Sequence, residues 1–432
     1  MIASYTKPND IDPALNDIPV PKLGKVSEFG SEMRKMFMLN PNYLALNHGS
    51  LGAVPKYVSD YSHYYFLCSE YNPDLWIDHT VVTLYNQALE RVAPYLGCKD
   101  PMELAFVTNT TSGLNSVIRS IHFDSNDVIF KFSISYKACS NAISYVCSIT
   151  GAKTVDVPIN LPCSNNEIIE ITKETIKKFK EKSDKNIKFA MIDTISSVPG
   201  IELPYIELTK IFKNEGALVF IDGAHSLGQI NIDIDSIGCD YFVTNAHKWF
   251  YTKRGTAILY VAKHLQEEVQ PLTISYAYGE NTGWRDSFFY QGTFDYSGYL
   301  SINAAIDFIE AVGGLKKIQE YCHNLAINGM NLLESKYGLI PMTKCENQIP
   351  NMVNYKLPLQ FGDSIHEKVG KRISVVLFKN YKAYGNVYKY NGIWWVRLSA
   401  QIYSVLEDFD KFGKLLTEAI EKEIQIEINN TK

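Results

Sequence analysis

The chain has no apolar run long enough to cross a bilayer as a helix, which takes roughly 20 consecutive apolar residues. No membrane partner is therefore expected. It has no surplus of positive charge either: 42 Lys and Arg against 47 Asp and Glu give a formal net charge of −5. That balance argues against a general nucleic-acid or polyanion binder, which needs a basic field. The eight cysteines show neither C-x-x-C nor C-x-x-H spacing, so no metal site and no disulfide framework are expected. Free thiols fit a reducing compartment. Met1-Ile-Ala-Ser-Tyr5 shows no basic region followed by an apolar one, the pattern of a signal peptide. A cytoplasmic protein is the expectation. There is no internal repeat and no low-complexity linker.

What is present is an ordinary globular composition, 46% hydrophobic and 21% charged. A length of 432 residues exceeds the roughly 250–300 that one core usually serves, so a large and a smaller domain are expected. Short β-rich runs closed by polar turns recur at 104–108, 128–132, 154–158, 189–193, 217–221, 241–244 and 256–261. They read as buried strands of a mostly parallel α/β sheet, whose carboxyl-edge loops are where such sheets bind ligands. Further on, 352–356 and 394–398 read as strands and 362–371 as a helix. One long helical stretch from about Tyr299 past Leu333 links the two parts. The expected division is an irregular arm at 1–45, a large α/β domain at 46–298, and the linking helix with a small α+β domain at 299–432.

Two edge residues organise the chemistry. Phe220-Ile-Asp-Gly-Ala-His225 closes one strand on Asp222, and Asn245-Ala-His-Lys-Trp249 closes the next with Lys248. An acid and a lysine at neighbouring strand ends have one prominent use: the lysine holds pyridoxal phosphate as a Schiff base, and the acid keeps the pyridinium nitrogen protonated. Either residue alone reads as a surface lysine or a turn-capping acid; the pairing distinguishes them. Upstream, Asn109-Thr-Thr-Ser-Gly-Leu-Asn115 leads from a strand into an amphipathic helix. A hydroxyl-rich strand-to-helix turn cradles a phosphate, although plain N-capping explains the same residues. Tyr57, Tyr61, Tyr64 and Tyr65 at helical spacing read as core or subunit interface.

The segments around Asp222 and Lys248 resemble the class V aminotransferase superfamily, a branch of the fold type I pyridoxal-phosphate enzymes. Leu46-Asn-His-Gly-Ser-Leu-Gly52, Asn245-Ala-His-Lys-Trp249 and Gln291-Gly-Thr-Phe-Asp-Tyr296 resemble its isopenicillin N epimerase-like group, which includes hercynylcysteine sulfoxide lyases. The resemblance spans roughly 40–410 and implies that Asn109, Thr110, Thr111 and Ser112 hold the cofactor phosphate, with Asn245 and His247 beside them. It implies that Thr293 reaches the phosphate of a partner subunit, so a homodimer with shared active sites is expected. It places Tyr136 over the cofactor ring, His225 at the ring hydroxyl or substrate nitrogen, and Asn47 and His48 at the mouth of the site. Arg397 becomes the residue for the substrate carboxylate, since a guanidinium offers two parallel donors. Relatives often carry Asp-His-Ile where this chain has Asp193-Thr-Ile195, so Asp193 and Thr194 are given no catalytic role. A sulfur-relay desulfurase needs a thiol on a loop shortly before the arginine, but the nearest upstream cysteine is Cys345, which disfavours persulfide transfer. The implied activity is β-elimination at a C–S bond of a cysteine derivative or its sulfoxide. Amino-acid epimerisation and transamination are the alternatives.

Overall fold

The structure is a computed structural model that describes residues 6–280 and 282–431. The chain divides into two compact units. The first takes in residues up to 24, 54–196 and 203–311, and the second takes in 25–53, 197–202 and 312–432.

The first unit is built on a seven-stranded sheet: β1 Leu104–Val107, β2 Asp127–Phe132, β3 Lys153–Val157, β4 Asn186–Asp193, β5 Leu218–Asp222, β6 Tyr241–Asn245 and β7 Ala257–Val261. The order across it is β1-β7-β6-β5-β4-β2-β3. Neighbouring strands are parallel from β6 through to β3, and β7 runs against both β6 and β1. Every residue of β1, β6 and β7 is buried, which is why these segments are almost uninterrupted apolar runs. β3 ends the sheet and exposes Lys153 and Asp156, charges that discourage pairing with another edge. Reversal of β7 brings its first residues to the carboxyl ends of the parallel strands, opposite Asn245 and Val107. Helices Lys56–Tyr71 and Val81–Val92 pack on Ser297–Ala311. Tyr61, Tyr64 and Tyr65 are buried in the first of these, so that aromatic stripe is core.

The second unit holds a three-stranded antiparallel sheet of β8 Met352–Lys356, β9 Asn386–Tyr390 and β10 Ile393–Ser399, with β10 central. Leu333, Tyr355, Ile373, Leu398, Phe412 and Leu416 share its core with helices Gly314–Tyr337, Ser364–Tyr381 and Leu406–Thr431. The short runs Leu44–Ala45 and Ala383–Tyr384 pair in parallel.

The single linking helix read from 299 to past 333 is two helices, Ser297–Ala311 and Gly314–Tyr337. The chain breaks at Gly313 and Gly314, with φ of 110° and 87°, a backbone region open to glycine because it lacks Cβ. Apolar periodicity ran through this point and hid the break. Among the described residues no helix is long and apolar enough to cross a membrane.

Candidate active site

β5 carries Val219, Phe220 and Ile221 into the core with no exposure, each burial contributing roughly 1.5–3 kcal/mol. That anchoring delivers the next residue, Asp222, to the sheet edge while leaving it only 3% exposed. Parallel register sets Asp222 beside Asp193 of β4, on the same face. Asp222 Oδ1 accepts the Ala224 N–H at 3.0 Å, and Oδ2 accepts the Cys139 thiol at 3.3 Å. Cys139 sits in α2, Lys137–Thr150, which starts after β2. Asp193 accepts the Ser135 hydroxyl at 2.8 Å. Burial raises both acids above their ordinary range, and the neighbouring Asp222 adds to the rise at Asp193. The turn N–H, the thiol and Lys248 pull Asp222 back down. A cation facing Asp222 would complete what these contacts begin.

The turn after β5 is pressed against the four-residue helix Ala246–Trp249 that follows β6. Gly228 makes this approach possible: at φ +90° a Cβ there would stand 2.3 Å from the Trp249 carbonyl oxygen. Leu227 N–H donates to Thr244 Oγ1 at 3.2 Å, and Ser226 and Thr194 share a hydroxyl contact of 2.5 Å. Held this way, His225 Nε2 lies 3.0 Å from Lys248 Nζ, and His225 Nδ1 accepts the Trp249 indole N–H at 3.2 Å.

The hydroxyl-rich turn that opens α1, Thr110–Ser120, meets the end of β6. Asn109 caps this helix, its Oδ1 accepting the Ser112 N–H at 2.9 Å. Thr110 N–H donates to Asn245 Oδ1 at 2.9 Å, so Asn245 ties the end of β6 to this turn and keeps only its amide N–H groups for an anion. The Thr110 hydroxyl is buried without a partner. Thr111 is half-buried. The Ser112 hydroxyl is already engaged by Thr108 at 2.9 Å and by the Asn109 carbonyl at 2.8 Å.

His247 Nδ1 lies 3.0 Å from the Thr256 carbonyl, which can only accept, so Nδ1 carries the proton. Its Nε2 can then donate to a phosphate only as the imidazolium, or accept a proton from the phosphate. Burial holds the ring down to about 4, and Lys248 and Arg254 add to the effect against the Thr256 carbonyl. A base whose folded value lies below its unfolded one contributes stability above the unfolded value, lost as pH falls toward the folded one. The chain stripped of small molecules is therefore expected to lose on the order of 2–3 kcal/mol between about pH 6.5 and 4 through His247. His247→Gln should flatten that slope in urea melts. An unchanged slope would show that the ring does not titrate as described.

These residues fit pyridoxal phosphate. Asp222 offers a buried acid without a bound cation, Lys248 a nearby amine, and Thr110 an orphaned hydroxyl at a helix N-terminus of the kind that receives phosphates. Asp222, His225 and Lys248 stand together at the sheet edge, as do Thr110 and Asn245. Tyr136, first residue before α2, is 47% exposed, and Thr293 is exposed on the segment before Ser297. Ser135, Cys139 and Trp249 are not singled out by the sequence, and Asp193, given no catalytic role there, stands beside Asp222. Trp249 lay inside a quoted motif; Cys139 and Ser135 carry no local signal, because only the packing of α2 and the strand register bring them to Asp222.

In the second unit, Arg397 of β10 is fully buried. Its Nη1 donates to the Ser197 carbonyl, and Nη2 donates to Ser50 Oγ at 2.8 Å and more loosely to Asn47 Oδ1 at 3.4 Å. Its Nε has no partner, and among the described residues no carboxylate is paired with the guanidinium. Burial pushes the group down to about 10. A buried cation held only by neutral acceptors is costly until an anion joins it. His48 is buried with Nδ1 3.0 Å from the Tyr403 hydroxyl. Of the Arg397 partners only Asn47 is singled out by the sequence; Ser50 lies inside the Leu46–Gly52 motif without a role of its own, and the Ser197 carbonyl is a backbone acceptor that leaves no mark in sequence.

The seven-stranded sheet of order β1-β7-β6-β5-β4-β2-β3, together with a smaller antiparallel sheet, is the fold type I architecture. The cystine C-S lyase C-DES, solved with its product cysteine persulfide, shares it, with a TM-score of 0.73 at 17% identity over 88% of this chain and 98% of that one. The family model for class-V aminotransferases matches residues 56–411, and the chain belongs to that family. It is 28% identical to an L-cysteine desulfhydrase-like protein of Epichloe uncinata, over 90% of this chain and 95% of that protein. It is 25% identical to the hercynylcysteine sulfoxide lyase of Schizosaccharomyces pombe, over 90% and 97% respectively.

Proposed function

We propose that the chain is a pyridoxal-phosphate-dependent lyase that breaks the C–S bond of an S-substituted cysteine or its sulfoxide, releasing pyruvate, ammonia and a sulfur product. The observation that carries this reading is the cluster of Asp222, His225 and Lys248 at one sheet edge. The names of the two sequence relatives support the choice of a sulfur amino acid. When bound, the cofactor supplies an electron sink for the bond electrons released at Cα.

Asp222 would hold the cofactor's ring nitrogen in its charged form, a task suited to a carboxylate whose neighbours favour ionisation. Thr110, the N–H groups opening α1, Asn245 and His247 receive the phosphate. Arg397 takes the substrate carboxylate, which supplies the anion that its surroundings lack. Lys248 removes the Cα proton as general base. The Cβ–S bond then breaks, sulfur leaving with the electron pair and a proton; Tyr136 is the acid assigned to that proton from its place in the sequence. Water completes conversion of the three-carbon remainder to pyruvate and ammonia. The exposure of Thr293 supports a role across a homodimer interface. The net charge of −5 and the absence of a membrane-length helix among the described residues support a cytoplasmic enzyme without nucleic-acid partners.

The test is to supply S-alkyl cysteine sulfoxides and identify products by mass. Pyruvate and ammonia in equal amounts are expected, with KM raised about a hundredfold in Arg397→Ala by loss of a charge-assisted pair worth roughly 3 kcal/mol. In heavy water, deuterium at an inverted Cα without pyruvate would replace this reading with epimerisation. Amino-group transfer to an added keto acid would replace it with transamination.

A further inference from the structure

The two ring nitrogens of His225 face partners of different kinds. The Trp249 indole nitrogen, 3.2 Å from Nδ1, can only donate, so Nδ1 holds a lone pair. An imidazole in that state is neutral and carries its proton on Nε2. Nε2 lies 3.0 Å from Lys248 Nζ. An ammonium has three N–H groups and no lone pair, so this contact is a hydrogen bond only when the lysine nitrogen accepts.

We propose that Trp249 is a positioning residue which fixes His225 as the Nε2–H tautomer, so that His225 meets the lysine nitrogen as a donor and never as its base. Both rings are 1% exposed, which keeps water from offering Nδ1 another donor. Gln229 holds the His225 backbone by donating to its carbonyl at 2.7 Å. Gly228 keeps the turn against Trp249, since a side chain there would meet the Trp249 carbonyl oxygen. Asp222 is the acid facing Lys248 and biases the amine toward its charged form. The donor on Nε2 acts the opposite way, favouring a nitrogen with a free electron pair. The consequence for catalysis rests on Lys248 being the cofactor-linked base; the tautomer does not.

The experiment is nitrogen NMR on the full chain with labelled imidazole rings, both loaded with pyridoxal phosphate and stripped of it. His225 is assigned among the nine histidines by its loss in His225→Gln. The expected spectrum shows a lone-pair Nδ1 and a protonated Nε2 across neutral pH. Trp249→Phe keeps a ring in place but removes the N–H. It should shift both resonances toward a tautomer average and slow attachment of the cofactor to Lys248 by roughly fivefold, the loss of one neutral hydrogen bond. A protonated Nδ1 in the wild-type chain overturns the proposal, whether or not the variant folds. A folded variant with unchanged resonances overturns it too. Absence of lyase activity would leave these spectra untouched, so the two readings fail separately.

Discussion

Lys248→Ala is expected to lower turnover by about ten-thousandfold, the upper range for removing a general base. The loss has two origins in one side chain: the amine that anchors the cofactor and the base that takes the Cα proton. Binding itself should persist weakly, because Thr110, Asn245 and the start of α1 do not depend on the lysine. Borohydride treatment of the wild-type chain followed by digestion should place the cofactor mass on the peptide carrying Lys248, and the variant should give no such peptide. An adduct elsewhere would unseat the assignment. The same variant tests assembly: mixed with an inactive Thr293→Ala chain, it should regain activity if Thr293 serves the partner's site. Full activity of a dilute monomer would remove that role.

Asp222→Asn is expected to cost about a hundredfold to a thousandfold in kcat/KM. Removing one partner of a buried charge pair costs roughly 3–5 kcal/mol, and each 1.4 kcal/mol is tenfold in rate. The stripped chain should respond in the opposite direction. Burial raises the Asp222 carboxyl above its unfolded value, so its contribution to stability is present at low pH and lost as pH rises through the folded value. The neutral isostere removes that loss, and the stripped variant should melt higher than wild type at pH 7. A lower melting temperature with unchanged kcat/KM would mean that Asp222 supports the turn and not the cofactor.

Asp193 shows why part of the site escaped reading. The threonine that follows it, where relatives carry histidine, gives it no catalytic role in the sequence, yet it stands beside Asp222, whose charge makes ionising Asp193 harder. Their proximity is a consequence of β4 pairing in parallel with β5, a partnership between segments 29 residues apart. Cys139 is a similar case, reaching Asp222 from a helix that precedes it by more than 80 positions. In contrast, Asp222 and Lys248 were legible because each closes an apolar run short enough to be a buried strand. Such runs end at a sheet edge whatever else the chain does.

Local sequence by itself determined the strands of the central sheet, the polar turns at their ends and the residue types presented there. Burial of period-free apolar runs and the turn preferences of Gly, Asn and Thr act over a few residues and need no distant partner. Only tertiary structure decided which edge residues touch. Strand order set Asp193 against Asp222, the missing Cβ of Gly228 let the turn close on Trp249, and that closure gave His225 its two unlike partners. The break at Gly313-Gly314 was decided there too, because apolar spacing continues through it unaltered. Arg397 belongs to both levels: its strand was readable, but its burial among neutral acceptors from residues 47, 50 and 197 arises from packing segments far apart in the chain.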